Sequence, residues 1–406
     1  MIEISGKYTK AKIMIDDIDM NCMSQIVEII NHEAFTNNVV IMPDCHYGAG
    51  GPIGLTMPIG DKVIPNVVGV DLNCAMLSYN IGKININHVD LDIKIRERIP
   101  TGINVNKKGK TILDQGFQEL CKKVGVDFDY AIRSLGTLGS GNHFIEIGRS
   151  QNTGDIWITI HSGSRNLGKK VCEYWQKRAC QKELFDKKEA IKKIKELYPK
   201  KELETQILKF KEELKKLRPT PLDFLTGIDR SDYIDDTLIC QEYASLNRRT
   251  IMEEILSILG NPTIKDEIET IHNYIDTKDN MIRKGAIRSY IGERMLIPFN
   301  MRDGILICEG KSNPEWNFSA PHGAGRVLSR SKAKSNLNIE KFEEDMKGIF
   351  STSVCHGTID EAPDAYKDSS VIEKAIEPTA IILDKIIPIH NLKDISDNKP
   401  WKKRRK

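Results

Sequence analysis

Val39-Val40-Ile41-Met42-Pro43-Asp44-Cys45-His46-Tyr47-Gly48-Ala49-Gly50-Gly51-Pro52-Ile53-Gly54 begins as a continuous apolar run and ends in glycine and proline. A short apolar run closed by turn residues predicts a buried strand that delivers its last side chains into a loop. Here those side chains are an aspartate and a histidine. Loops at strand ends are where binding and catalytic groups are usually mounted.

The same grammar recurs outward from this stretch. Val63-Ile64-Pro65-Asn66-Val67-Val68-Gly69-Val70 predicts a second strand, ending in Asp71-Leu72-Asn73-Cys74. Glycines of Gly136-Thr137-Leu138-Gly139-Ser140-Gly141 lead into Asn142-His143-Phe144-Ile145-Glu146. Ile156-Trp157-Ile158-Thr159-Ile160 delivers His161, followed by Ser162-Gly163-Ser164-Arg165. Thr270-Ile271-His272-Asn273-Tyr274 predicts another strand with a histidine, and Ile282-Arg283-Lys284-Gly285-Ala286 sets two cations beside a turn. Short strands ending in glycine-rich loops, interrupted by helices, predict an α+β fold of packed, mostly antiparallel sheets surrounded by helices.

Helical spacing is expected after Asn21 (Met23, Ile26, Val27, Ile30), from Ile112 to Val124, and from about 237 to 259. Leu91-Asp92-Ile93-Lys94-Ile95 alternates as an exposed strand would. Between about 183 and 218, Lys and Glu dominate and Leu203, Ile207, Phe210, Leu214 and Leu217 recur at helical intervals. With Pro199 dividing the run, a projecting helical hairpin is predicted. The basic end, Trp401-Lys402-Lys403-Arg404-Arg405-Lys406, is expected to be a disordered tail, with weak phosphate affinity as the alternative reading.

A net charge of +3 over 406 residues gives no global field for a polyanion, so any such contact must come from local patches. No apolar run is long enough to span a bilayer. The first residues lack the pattern of a signal peptide. Nine cysteines, odd in number and without Cys-x-x-Cys pairs, predict free thiols in a reducing, cytoplasmic setting. No dinucleotide fingerprint and no Walker loop is present.

Ser319-Ala320-Pro321-His322-Gly323-Ala324-Gly325-Arg326 places one histidine among residues with almost no side chain. Small neighbours admit a ligand close to the imidazole, and an arginine favours an anionic one. Asp71, Cys74, His143, His161 and His272 could form two neighbouring cation sites if Cys74 bridges them. A thiolate with imidazoles disfavours magnesium and calcium and leaves manganese, zinc, iron and cobalt. His322 would then be free to act as a nucleophile toward phosphorus. Metal-dependent phosphate chemistry is the reading these residues support together.

Taken in order, these motifs, with Gly69-Val70-Asp71, Arg283-Lys284-Gly285-Ala286 and Asp360-Glu361-Ala362-Pro363, resemble the RtcB family of GTP-dependent RNA ligases over nearly the whole chain. The resemblance implies one RtcB-like catalytic domain over 1–395, carrying the hairpin as an insertion, with 396–406 as a tail. It implies joining of an RNA 3′-phosphate or 2′,3′-cyclic phosphate to a 5′-hydroxyl, in RNA repair or tRNA splicing, with GTP and two manganese ions. By resemblance, Asp71, Cys74 and His143 would hold one ion, and Cys74, His161 and His272 the other. His322 would be guanylylated, with Asp44 beside it as an orienting carboxylate. Asn142, His143, Glu146, Asn273, Gly323, Ala324, Gly325, Tyr366 and Lys393 would surround the nucleotide. Arg165, Arg283 and Arg326 are candidates for the phosphates or the RNA backbone. A monomer, open to an activating partner protein, is expected. A metal-dependent RNA end-processing phosphoesterase that does not ligate is the rival reading. The chain departs from the family pattern at Pro298-Phe299-Asn300-Met301-Arg302, where Pro-Gly-Ser-Met-Gly is usual, so Phe299 is expected to stiffen a nucleotide-contacting turn and crowd its ligand. It also departs at Ala75, after Cys74, and at Asp394, after Lys393.

Overall fold

The computed structural model describes residues 1–110, 113–180, 187–199, 202–216 and 220–395. The apolar runs become short strands. The first five are β1 (Ile2–Ser5), β2 (Lys10–Ile13), β3 (Val39–His46), β4 (Ile53–Pro58) and β5 (Ala75–Gly82). The next five are β6 (Phe144–Ser150), β7 (Ile156–Ser162), β8 (Asp266–Ile271), β9 (Asn273–Asp276) and β10 (Met281–Lys284). The last are β11 (Ala286–Arg288), β12 (Arg294–Pro298), β13 (Ile305–Gly310), β14 (Ser319–Pro321) and β15 (Ala380–Leu392). One sheet runs β1-β2-β3-β4-β10-β9 and a second runs β12-β13-β15-β6-β7-β5-β8. β11 and β14 form a two-stranded ribbon. Pairing between these strands is antiparallel except between β2 and β3. This is the α+β fold of packed antiparallel sheets and surrounding helices.

The long helix Gly227–Ile258 ties the two large sheets together. Its Tyr233, Cys240 and Tyr243 enter the core beneath the six-stranded sheet, and its Ile251, Met252 and Ile255 enter the core of the seven-stranded one. Each such isoleucine, fully buried, contributes roughly 1.5–3 kcal/mol relative to exposure. No helix among the described residues is long and apolar enough to cross a membrane.

Two local expectations are corrected. Residues 91–95 lie in the helix His88–Arg98, not in a strand. Asn87 caps it by accepting from the Asp90 N–H, and Leu91 and Ile95, four apart, are the buried pair, while Ile93 faces solvent. Val63–Val70 is not a strand either. Val63 makes a single bridge to Leu225, and Pro65–Val68 is one helical turn with proline at its start, where a missing N–H costs little. The helix expected from Ile112 is found over Gln115–Val124, capped by Asp114, and Ile112 itself lies outside the described residues. In the hairpin, helices Lys187–Leu197 and Leu203–Lys216 contact each other across Pro199. The side chain of Leu214, all of Leu217 and the tail 396–406 lie outside the described residues.

Candidate active site

Antiparallel pairing gathers the polar residues at one edge of the seven-stranded sheet. β5 and β6 begin there, just after Cys74 and His143, while β7, β8 and β15 end there. His161 therefore sits opposite Phe144 and Met76, and Lys393 follows the last residue of β15. His272 occupies the single position between β8 and β9, where the chain leaves one large sheet and enters the other. The Gly285 N–H donates to the His272 carbonyl at 2.6 Å, and Gly285 in turn separates β10 from β11. Gly285 has φ +62, and a Cβ there would stand 2.2 Å from Ile53 Cγ2, so glycine is required at this crossing.

Asp71, Cys74 and His143 offer three ligand atoms within 4.8 Å of one another, and so do Cys74, His161 and His272. The hydrogen bonds set the tautomers. His143 Nδ1–H donates to the Leu138 carbonyl at 2.9 Å and His161 Nδ1–H to the Asn142 carbonyl at 3.1 Å. A carbonyl only accepts, so each of these rings turns a lone pair at Nε2 toward the cluster. His143 Nε2 lies 2.9 Å from Asp71 Oδ2 and 3.5 Å from Cys74 Sγ. His161 Nε2 lies 3.1 Å from Cys74 Sγ and 3.2 Å from His272 Nε2. Even with a proton on His272 Nε2, the thiol must face Asp71 Oδ2 and the Nε2 lone pair of His143 with a single proton in a buried place. Cations between them would satisfy these acceptors. Burial pulls His161 and His272 well down, which keeps them neutral and able to donate a lone pair. Burial, reinforced by Asp71, pushes the Cys74 thiol well up, so the thiolate needs a cation beside it. The donor set fits two divalent ions of the manganese, iron, cobalt and zinc group.

His322 follows β14, and its ring centre lies 5.1 Å from that of His272. His322 Nδ1 is 2.7 Å from Asp44 Oδ2, and its backbone N–H donates to the same oxygen at 3.2 Å. Asp44 is fully buried in β3. With the Nδ1 proton held by a carboxylate, the Nε2 lone pair of His322 is left free. Gly325 lets these elements meet. Its φ is +73, and a Cβ would stand 2.2 Å from the Asp44 carbonyl oxygen.

A cavity of about 890 Å³ opens beside His161, His272 and His322. Of the residues expected around a nucleotide, Asn142, Glu146, Asn273, Gly323, Ala324, Gly325, Tyr366 and Lys393 line it, whereas His143 lies behind, with Asp71 and Cys74. Lys393 Nζ bonds Glu361 at 3.0 Å and the carbonyls of Asn142 and His143 at 3.2 and 3.4 Å. Glu361 also accepts from Tyr366 and Arg330. Although burial works against its charge, Lys393, Arg330 and Arg326 hold Glu361 down at about 2. At Glu146 burial outweighs the Asn391 amide and the charge of Lys393, and pushes it up to about 8. Phe299 and Asn300 both line the cavity. Phe299 packs into a core with Met295, Leu306 and Tyr366, and Asn300 ties its own turn by accepting from the N–H groups of Arg302 and Asp303. The departure from Gly-Ser thus yields an anchored turn with an aromatic wall.

The three arginines separate. Arg326 lines the cavity and donates to the carbonyls of Leu328 and Asp360 and to Tyr366 Oη. Arg165 does not line it, and donates instead to Thr137 Oγ1 and the Gly102 carbonyl. Arg283, expected as a phosphate or RNA contact, has no exposed surface and pairs with Asp276 at 2.8 Å and Asp279 at 2.6 Å. It is enclosed by Asp276 at the end of β9, Asp279 in the β9–β10 turn, Ser319 Oγ and the Phe318 carbonyl. Arg283→Ala would leave Asp276 and Asp279 with Arg288 as their remaining cation among the described residues, and a loss of about 3 kcal/mol in urea unfolding is expected. An unchanged unfolding midpoint would contradict this.

Sequence reasoning missed Arg330, His46, Glu361 and Asn391 as cavity residues. His46 and Glu361 sat inside noted motifs and could have been found there. Asn391 lies in an apolar run with no local signal, and only strand register brings it to the cavity.

A family model described as tRNA-splicing ligase RtcB matches residues 25–394. The RNA-splicing ligase RtcB of Escherichia coli is 29% identical over 403 residues, covering 88% of this chain and 90% of that protein. The tRNA-splicing ligase RtcB of Archaeoglobus fulgidus is 25% identical, covering 92% and 90%. The RNA-splicing ligase RtcB of Mycobacterium bovis is 22% identical, covering 87% and 95%. With a family match running from residue 25 almost to the end of the described chain, this chain belongs to the RtcB family.

Proposed function

We propose that the chain is an RNA ligase that joins an RNA 3′-phosphate or 2′,3′-cyclic phosphate end to a 5′-hydroxyl end, using GTP. The observation that carries the reading is His322, oriented by buried Asp44 and set beside two groups of cation ligands that share Cys74. The names of the relatives support RNA as the substrate.

In this reading His322 Nε2 attacks the α-phosphorus of GTP. An N–P bond forms, the P–O bond to pyrophosphate breaks, and the positive charge on the ring is offset by Asp44 at Nδ1. An oxygen of the RNA 3′-phosphate then attacks the same phosphorus, and the N–P bond breaks with its electron pair returning to Nε2. The 5′-hydroxyl attacks the activated RNA phosphorus, and GMP leaves. A cyclic end is first hydrolysed to the 3′-phosphate. Asp71, Cys74 and His143 would hold one manganese ion and Cys74, His161 and His272 the second, which together would offset charge on the reacting phosphates. Arg326 and Lys393 line the same cavity, each paired with the Glu361 carboxylate.

The test is incubation of the protein with manganese and GTP labelled at the α-phosphate. A covalent adduct stable to denaturation is expected, and it should transfer its guanylate to RNA bearing a 3′-phosphate. Release of phosphate from RNA ends without any adduct would favour the phosphoesterase instead.

A further inference from the structure

Glu146 and Asn391 stand directly opposite each other in the β6–β15 pair. Both line the cavity, yet only 2% of Glu146 and 1% of Asn391 is exposed. Asn391 Nδ2–H donates to Glu146 Oε2 at 3.0 Å. An ionised Glu146 can only accept, so in that state the amide offers its nitrogen there. Asn391 Oδ1 and Glu146 Oε1 are then left buried without hydrogen-bond partners. The nearest cation does not serve them, since the three protons of Lys393 are directed to Glu361 and to the carbonyls of Asn142 and His143. Native interiors keep few such orphans, and a pair of them on one cavity wall points to a ligand that completes them.

We infer that Asn391 is a specificity residue of the proposed nucleotide subsite: with Glu146 it presents two adjacent acceptors that take two adjacent N–H donors of a base. The N1–H and 2-amino groups of guanine form such an edge. Adenine sets an acceptor, N1, in the same place, and two acceptors facing a third are unpaired on both sides. The inference rests on the nucleotide-binding reading above. It adds Asn391, which the family motifs do not mark, and it gives that residue a defined partner on the base. The aromatic wall of Phe299 and Tyr366 supplies area without direction, so the two acceptors are left to discriminate.

The test uses the full chain with manganese and measures competitive binding of four triphosphates: GTP, ITP, 2-aminopurine riboside triphosphate and ATP. ITP keeps N1–H and lacks the 2-amino group, the 2-aminopurine nucleotide keeps the amino group and lacks N1–H, and ATP lacks both on that edge. Wild-type protein is expected to bind each single-donor analogue roughly tenfold or more weakly than GTP, and ATP more weakly still. In Asn391→Leu, a near match in volume, one single-donor analogue should bind as well as GTP, because the acceptor for the missing donor is gone. Asn391→Ala should lose the same discrimination, and a thermal melt checks that both variants fold. Wild-type discrimination retained against both analogues in the folded variants would overturn the role of Asn391. A wild-type protein that binds no triphosphate would instead overturn the proposed function.

Discussion

His322→Ala is expected to abolish the covalent guanylate adduct, leaving no label above background after denaturation. No other imidazole lining the cavity is placed to take over. His161 and His272 are directed into the cation-ligand group, and His46 is turned to the Asp44 carbonyl and pulled down to about 4 by burial. The loss should be chemical rather than structural, because His322 is partly exposed and flanked by Gly323 and Ala324, so truncation removes little packing. A thermal melt near wild type is therefore part of the expected result. Asp44→Asn should keep the fold and slow adduct formation by about 10²–10⁴-fold, since an amide fixes the Nδ1–H tautomer poorly and cannot offset the ring's positive charge. A labelled adduct that persists in His322→Ala would remove His322 as the nucleophile.

The strand-and-loop grammar was legible in most runs that held both an apolar stretch and its polar ending, but not at Val63–Val70, where Pro65 opens a helical turn. The stretches around Asp44, His143, His161 and His322 each contain their own turn, although their strands belong to three different sheets. Legibility failed where a second partner decides. Leu91–Ile95 carries both alternation and a four-residue spacing, and the Asn87 cap with the core contact of Leu91 and Ile95 selects the helix. Arg283 beside Gly285 looks like an anion site until Asp276 and Asp279 are seen to enclose it. Asn391 is silent because its meaning comes from register with a residue 245 positions away. Convergence was the larger unknown. A list of histidines does not say which lone pairs face one another. That depends on the Leu138 and Asn142 carbonyls, which assign the protons of His143 and His161.

That tautomer assignment leads to the second large effect, at Cys74. Cys74→Ala is expected to remove both bound cations, whereas Asp71→Ala or His272→Ala should each remove one. Cys74 Sγ is the only ligand atom common to the two groups of three among the described residues. Loss of any other member leaves the opposite group complete. Its loss leaves Asp71 with His143 on one side and His161 with His272 on the other, two ligands each, too few to hold a divalent ion against water. The measurement is manganese content after equilibrium dialysis: about two equivalents for wild type, about one for Asp71→Ala or His272→Ala, and near zero for Cys74→Ala. Cys74→Ser separates charge from position, because a hydroxyl fills the same place but does not ionise readily. It should bind manganese far more weakly than wild type. Two equivalents retained by Cys74→Ala would mean that the ions lie elsewhere and that His272 Nε2–H donates to the His161 Nε2 lone pair. Loss of adduct formation in step with the metal content, across all four variants, would tie the cation sites to the chemistry at His322.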